Sequence, residues 1–133
     1  MSYLVDTNAC IALLRGKNAA LIRRWEAERP QAIFLCSIVV YELRYGAERS
    51  ISPQAEHAKL DAFLAPYISL PFTDDCAGHC ASIRHQLESS GCRIGPNDLK
   101  IAAIARANGL TLVTHNLREF GRVDGLLVVD WEL

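Results

Sequence analysis

Three carboxylates and one polar triplet stand where apolar stretches of the chain give way: Asp6 after Tyr3-Leu4-Val5, Glu42 inside Val40 to Gly46, Asp98 just past Gly95-Pro96, and Thr114-His115-Asn116 after Leu110 to Val113. Carboxylate oxygens are hard ligands, and a set of them without obligatory His or Cys suits Mg²⁺ or Mn²⁺. If the three carboxylates meet, they repel. At ~5 Å and an effective dielectric of ~20, each pair costs roughly 3 kcal/mol. Apart from Lys100, the residues around Asp6 and Asp98 offer no obvious counter-ion. A divalent cation removes that repulsion and leaves room for a substrate phosphate, the arrangement of metal-assisted phosphodiester hydrolysis.

Each residue also has a plainer explanation. Asp6 can cap a helix, since Asp is a favoured N-cap. Asp98 can answer the helix dipole from a first turn. Glu42 has Ile38, Val39, Tyr45 and Gly46 three and four positions away, so its helix reads as buried on more than one face. A carboxylate there needs a partner, and Arg44 or Arg49 is the structural alternative to a metal.

These residues need a scaffold that gathers them. Tyr3 to Val5 reads as a strand, followed by a helix over Ala9 to Leu14 that stops at Gly16. A second helix is expected over Ala19 to Arg29, ended by Pro30, then a strand over Ala32 to Cys36 and a helix from Ser37 to Gly46. Further helices are expected over Pro53 to Leu64, Asp74 to Ser89 (capped by Thr73) and Asn97 to Ala107, with strands over Ile68 to Phe72, Leu110 to Thr114 and Leu126 to Val129. This alternation predicts an α/β fold with a central, mostly parallel sheet of about five short strands, covered by helices on both faces. Ligands of such sheets bind beyond the carboxyl ends of the strands, where the strand order reverses. The residues named above all follow strands or open helices.

With 133 residues the chain suits one domain, residues 1–133. Hydrophobic residues at 50% and charged ones at 22% exclude disorder as the main state. A net charge of −1 excludes attraction to nucleic acid by bulk positive charge, so local patches or bound cations must supply it. No apolar run approaches the ~18 residues of a membrane span, and MSYLVDTN has no basic leader before a long apolar stretch. Five cysteines, an odd number, read as reduced core thiols of a cytoplasmic protein.

Four segments resemble PIN domains, and most of all the VapC toxins of bacterial type II toxin–antitoxin pairs. They are Leu4-Val5-Asp6-Thr7-Asn8, Val40-Tyr41-Glu42-Leu43-Arg44-Tyr45-Gly46, Ile94 to Ala103 around Gly95-Pro96-Asn97-Asp98, and Leu112-Val113-Thr114-His115-Asn116-Leu117-Arg118-Glu119-Phe120. The resemblance runs over essentially the whole chain. It implies a three-layer PIN-like fold and an endoribonuclease dependent on Mg²⁺ or Mn²⁺, with structured tRNA as a plausible substrate. It also implies inhibition by a VapB-type antitoxin, homodimerisation and toxin–antitoxin hetero-oligomers. Carried over, Asp6, Glu42 and Asp98 match the family's acidic positions, with Asp6 and Asp98 as principal metal ligands and Glu42 set to orient water. Asn116 stands where many PIN domains have a fourth acid, which leaves a second metal open. Thr7, Asn8 and Thr114 are then groups that orient the ligands or the substrate.

Other features have smaller claims. Cys76, His79 and Cys80 share a helix face and, with Cys92, could build a zinc site, but packing is the better reading. Arg15, Lys17, Arg23 and Arg24 form a basic cluster that either is solvated or, with Arg93, Lys100, Arg118 and Arg122, meets RNA phosphates. Trp25 and Trp131 read as packing residues, and the tail Asp130-Trp131-Glu132 as remote from the site. The competing functions are a PIN-like module that binds protein or RNA without cutting, a metal-dependent phosphatase with Asp6 as nucleophile, and a DNA nuclease. Asn8 stands where the phosphatase motif needs a second Asp.

Overall fold

A computed structural model describes residues 1–133. Five strands and seven α-helices alternate along it. Strand β1 (Tyr3–Val5) leads through α1 (Thr7–Arg15) and α2 (Ala19–Glu26) to β2 (Ile33–Cys36). Helices α3 (Ser37–Glu48) and α4 (Pro53–Leu64) precede β3 (Ile68–Leu70). Helices α5 (Asp74–Ser89) and α6 (Pro96–Ala107) precede β4 (Thr111–Val113), and α7 (Leu117–Phe120) precedes β5 (Val128–Val129).

The sheet has the order β3-β2-β1-β4-β5 and every pairing is parallel. The first three strands grow the sheet one way, and β4 returns to the other side of β1. The order therefore reverses between β1 and β4, and a crevice opens beyond their carboxyl ends. The parallel sheet flanked by helices agrees with the sequence expectation.

One hydrophobic core of 27 buried residues joins the layers. In α6, Ile101 to Ala105 are all fully buried, and the three alanines among them let this helix backbone lie close to its neighbours. Helix starts follow capping chemistry. Asp6 accepts from Ala9 N–H, Asn18 from Leu21 N–H and Thr73 from Cys76 N–H.

Several boundaries differ from expectation. Helix α2 stops at Glu26 rather than Arg29, because Pro30 forces Arg29 into an extended conformation and opens a 3₁₀ turn over Pro30–Ala32. Strand β3 is an edge strand with Ile68 exposed, so it is not covered on both faces. The short α7 was not expected. Helix α3 buries one stripe, Val39, Leu43 and Ala47, whereas Tyr41 and Tyr45 are 57% and 55% exposed. Its sequence looked apolar all round because tyrosine counts as apolar while tolerating water.

The acidic tail is not remote. Trp131 is buried against Tyr3, at 4.9 Å between ring centroids, and against Trp25 at 6.3 Å. Arg24 donates to the Asp130 carbonyl at 3.1 Å, and Asn18 donates to that of Glu132 at 3.4 Å. This anchoring carries Asp130 and Glu132 to the same end of the sheet as Asp6. Both tryptophans are packing residues, as expected.

Candidate active site

Asp6 is the first residue beyond β1 and only 5% exposed. Its carboxylate caps α1 by accepting Ala9 N–H at 2.9 Å, so the capping explanation and a site role coexist. Burial pushes its pKa above the usual carboxylate range. The Thr114 hydroxyl and the Ala9 N–H pull it back, and the charges of Glu132 and Glu42 add to the rise.

Glu42 is half-buried, in the second turn of α3. The two arginines that were the alternative to a metal are engaged elsewhere. Arg44 donates to Asp61 at 2.7 Å, and Arg49 lies over the Tyr45 ring. Glu42 instead accepts the Thr7 hydroxyl at 2.6 Å and the Asn97 amide at 3.4 Å. These donors are the neighbours of Asp6 and Asp98, so Glu42 is tied to the segments carrying both other carboxylates.

Asp98 lies in the first turn of α6, behind Gly95-Pro96. Its pKa is raised to about 6, by burial first and then by the negative charges of Asp6, Glu42 and Glu119. Glu119 thus lies near enough for its charge to act on Asp98, as Glu132 does on Asp6, and neither was named as a candidate site residue from the sequence. For Glu119 the available signal was the spacing from Asn116, which marks a capping box. Asn116 accepts from Glu119 N–H at 3.4 Å and donates through Nδ2 to the Glu119 carboxylate at 3.1 Å. Asn116, at the position where the resemblance puts a fourth acid in many relatives, is an amide that holds an acid in place three residues on. Asn97 was also missed.

Thr7, Asn8 and Thr114 lie around this set. Thr114 is buried, and its hydroxyl accepts Asn116 N–H at 3.0 Å. Asn8 is exposed and lines a cleft of about 530 Å³ with Asp6, Arg15, His115, Asn116 and Glu132. His115 is hydrogen-bonded to the buried Asp130 carboxylate at 2.8 Å, and its pKa is raised by that bond and charge.

None of Asp6, Glu42, Asp98 and Glu119 is in an ion pair with an Arg, Lys or His. Lys100 lines a different cleft, against Cys80. Negative charge therefore accumulates at the switch point with no direct ion pair to offset it, although Arg15 and His115 line the cleft beside Asp6, and a divalent ion would relieve the crowding. The ligand atoms of Asp6, Glu42 and Asp98 do not all lie within 4.8 Å of one another, whereas those of His115, Asp130 and Glu132 do.

Zinc is not supported at the cysteine face. His79 Nδ1 accepts from Arg106 at 2.9 Å, Cys76 is buried with its sulfur near the Pro71 carbonyl, and these residues form no close ligand group. All five cysteines are free. No helix is long and apolar enough to cross a membrane.

The fold and the acidic crevice define an α/β domain of the PIN type, and the PIN domain family model matches residues 3–126. The tRNA(fMet)-specific endonuclease VapC of Salmonella typhimurium is 34% identical over 131 residues, covering 98% of both chains. Ribonuclease VapC2 of Haemophilus influenzae (strain Rd) is 37% identical, with the same coverage. In three dimensions, VapBC from Salmonella typhimurium bound to DNA superposes with a TM-score of 0.92 at 34% identity, covering 98% of each chain. VapBC2 from Rickettsia felis bound to a promoter DNA fragment gives 0.90 at 33%, covering 98% of this chain and 99% of the other. The chain belongs to the PIN-domain family, as a nuclease of its VapC ribonuclease group. PIN-domain nucleases use a divalent metal.

Proposed function

We propose that this chain, read as one PIN domain over residues 1–133, is the endoribonuclease toxin of a VapBC-type module, acting in the cytoplasm with Mg²⁺ or Mn²⁺. One observation carries this reading: Asp6, Glu42, Asp98 and Glu119 come from separate parts of the chain to one crevice, and none of them is in an ion pair with an Arg, Lys or His. Asp6 and Asp98 would hold the ion, directly or through water. When bound, the metal supplies activation of a water and stabilisation of charge on the phosphoryl oxygens. Glu42, fixed by Thr7 and Asn97, is placed to accept a proton or orient a water. Thr114 steadies Asp6 and Asn116, and Asn116 steadies Glu119.

Structured tRNA is the substrate class we propose, in line with the Salmonella relative named for tRNA(fMet). A VapB-type antitoxin is the proposed partner. A groove of about 440 Å³ between α1, α3 and α4 supports this, with Leu14, Leu43 and Leu60 on its wall and Arg15 and Glu42 at its edge. An apolar segment seated there would reach the acidic crevice. The test is to sequence RNA ends after pulsed expression of wild type and Asp98→Ala. New 5′-phosphate ends confined to wild type are expected, and identical ends from both would overturn the assignment.

A further inference from the structure

The dyad His115–Asp130 has no part in the acidic set, yet it stands on the same cleft. Asp130 is almost wholly enclosed, its side chain 4% exposed, and it accepts from His115 Nδ1 at 2.8 Å through one oxygen and from Glu132 N–H at 2.8 Å through the other. The His115 ring is 63% exposed. One ring nitrogen is thus pinned to a rigid carboxylate, and Nε2 has no protein partner. This fixes the ring's orientation and the nitrogen it presents. Along the same cleft lies Arg15, at the end of α1, exposed and without an ion-pair partner. Asp6 and Glu132 also line the cleft, so its charge is mixed.

Building on the RNA-cleaving reading above, we infer that His115, as the doubly protonated imidazolium, contacts a phosphate of the RNA through Nε2–H while Nδ1–H donates to Asp130, which positions the ring, with Arg15 on the same phosphodiester run. The cleft continues from Asp6, so the phosphate held there is next to the scissile one. A ring held by a buried carboxylate loses little freedom on binding, which makes the contact an effective one. A backbone phosphate contact fixes register without reading base sequence.

The experiment uses the full-length toxin freed of antitoxin and loaded with Mg²⁺, cutting a labelled tRNA. His115→Asn keeps a donor toward Asp130 but removes the outer nitrogen. It is expected to raise KM about tenfold with kcat little changed, as loss of one charged hydrogen bond does. His115→Arg should recover most of that loss. Asp130→Asn, which keeps one acceptor oxygen, sets an amide NH2 where the other stood and removes the charge, should raise KM in the same direction. In an Asp98→Asn background, RNA binding by His115→Asn should show a salt slope smaller by about 0.7, the value for one phosphate on a single strand. An unchanged salt slope, a fall in kcat alone, or a shift only in the Mg²⁺ or Mn²⁺ requirement would overturn the phosphate contact. The last outcome would assign His115, Asp130 and Glu132 to an ion instead. Full cleavage by Asp98→Asn would overturn the acidic site, separately from any result at His115.

Discussion

Asp98 keeps its proton to about pH 6 because it is partly buried beside Asp6, Glu42 and Glu119. In the unfolded chain it titrates near 3.8. The folded, metal-free protein therefore binds this proton more tightly than the unfolded chain does. The contribution of Asp98 to stability is thus greatest below the unfolded pKa and declines as pH rises from about 4 through about 6. Denaturation of metal-free protein across that window should show the decline, and Asp98→Asn should flatten it. Near pH 7 the variant should be the more stable of the two, by on the order of 1 kcal/mol after solvent screening. A steeper decline in the variant would contradict the charge crowding. Activity should move the other way. Asp6→Asn or Asp98→Asn should lower the cleavage rate roughly 10²-fold or more, measured on purified protein at saturating Mg²⁺.

Caps and turns decide where the side chains arrive. Asn116 opens α7 and holds Glu119 at both its N–H and its carboxylate. Asn116→Ala should cost about 1 kcal/mol and release Glu119, so that more Mg²⁺ is needed for half-maximal cleavage. Thr73→Ala, at the start of α5 and away from the crevice, should cost a similar ~1 kcal/mol in denaturation while cleavage per folded molecule is unchanged. The pair separates a cap that serves the site from one that serves only its helix. Most elements were legible because their signals are local: Gly16 at positive φ after α1, Pro at the first turns of α4 and α6, and Asp6 and Thr73 as caps. Helix α7 was not, since four residues give no periodicity, and the two exposed tyrosines disguised the one-sided burial of α3.

Across the whole molecule, a divalent ion bound at the proposed crevice would couple four segments to a single core. Adding Mg²⁺ should raise the stability of wild type by RT ln(1 + [Mg²⁺]/Kd), about 2.7 kcal/mol at a hundredfold excess over Kd, whereas Asp98→Asn should respond far less. A thermal scan in Mg²⁺ against EDTA measures it. Leu14 is 46% exposed on the apolar groove, so Leu14→Asp should weaken antitoxin inhibition without lowering the rate of the free toxin. Titrating antitoxin into a cleavage assay tests that expectation.

The sequence by itself determined the kinds of groups present, the alternation of strand and helix, and the places where Asp6, Glu42 and Asp98 stand relative to them, because caps, prolines and apolar runs act over a few residues. Only the tertiary structure decided which side chains face one another. That Glu42 bonds to Thr7 and Asn97 rather than to Arg44, that Glu119 joins the acids, and that Asp130 reaches His115 all depend on contacts between distant segments. Burial of Trp131 against Tyr3 and the return of β4 beside β1 bring those segments together, and both are settled by the packing of the whole core.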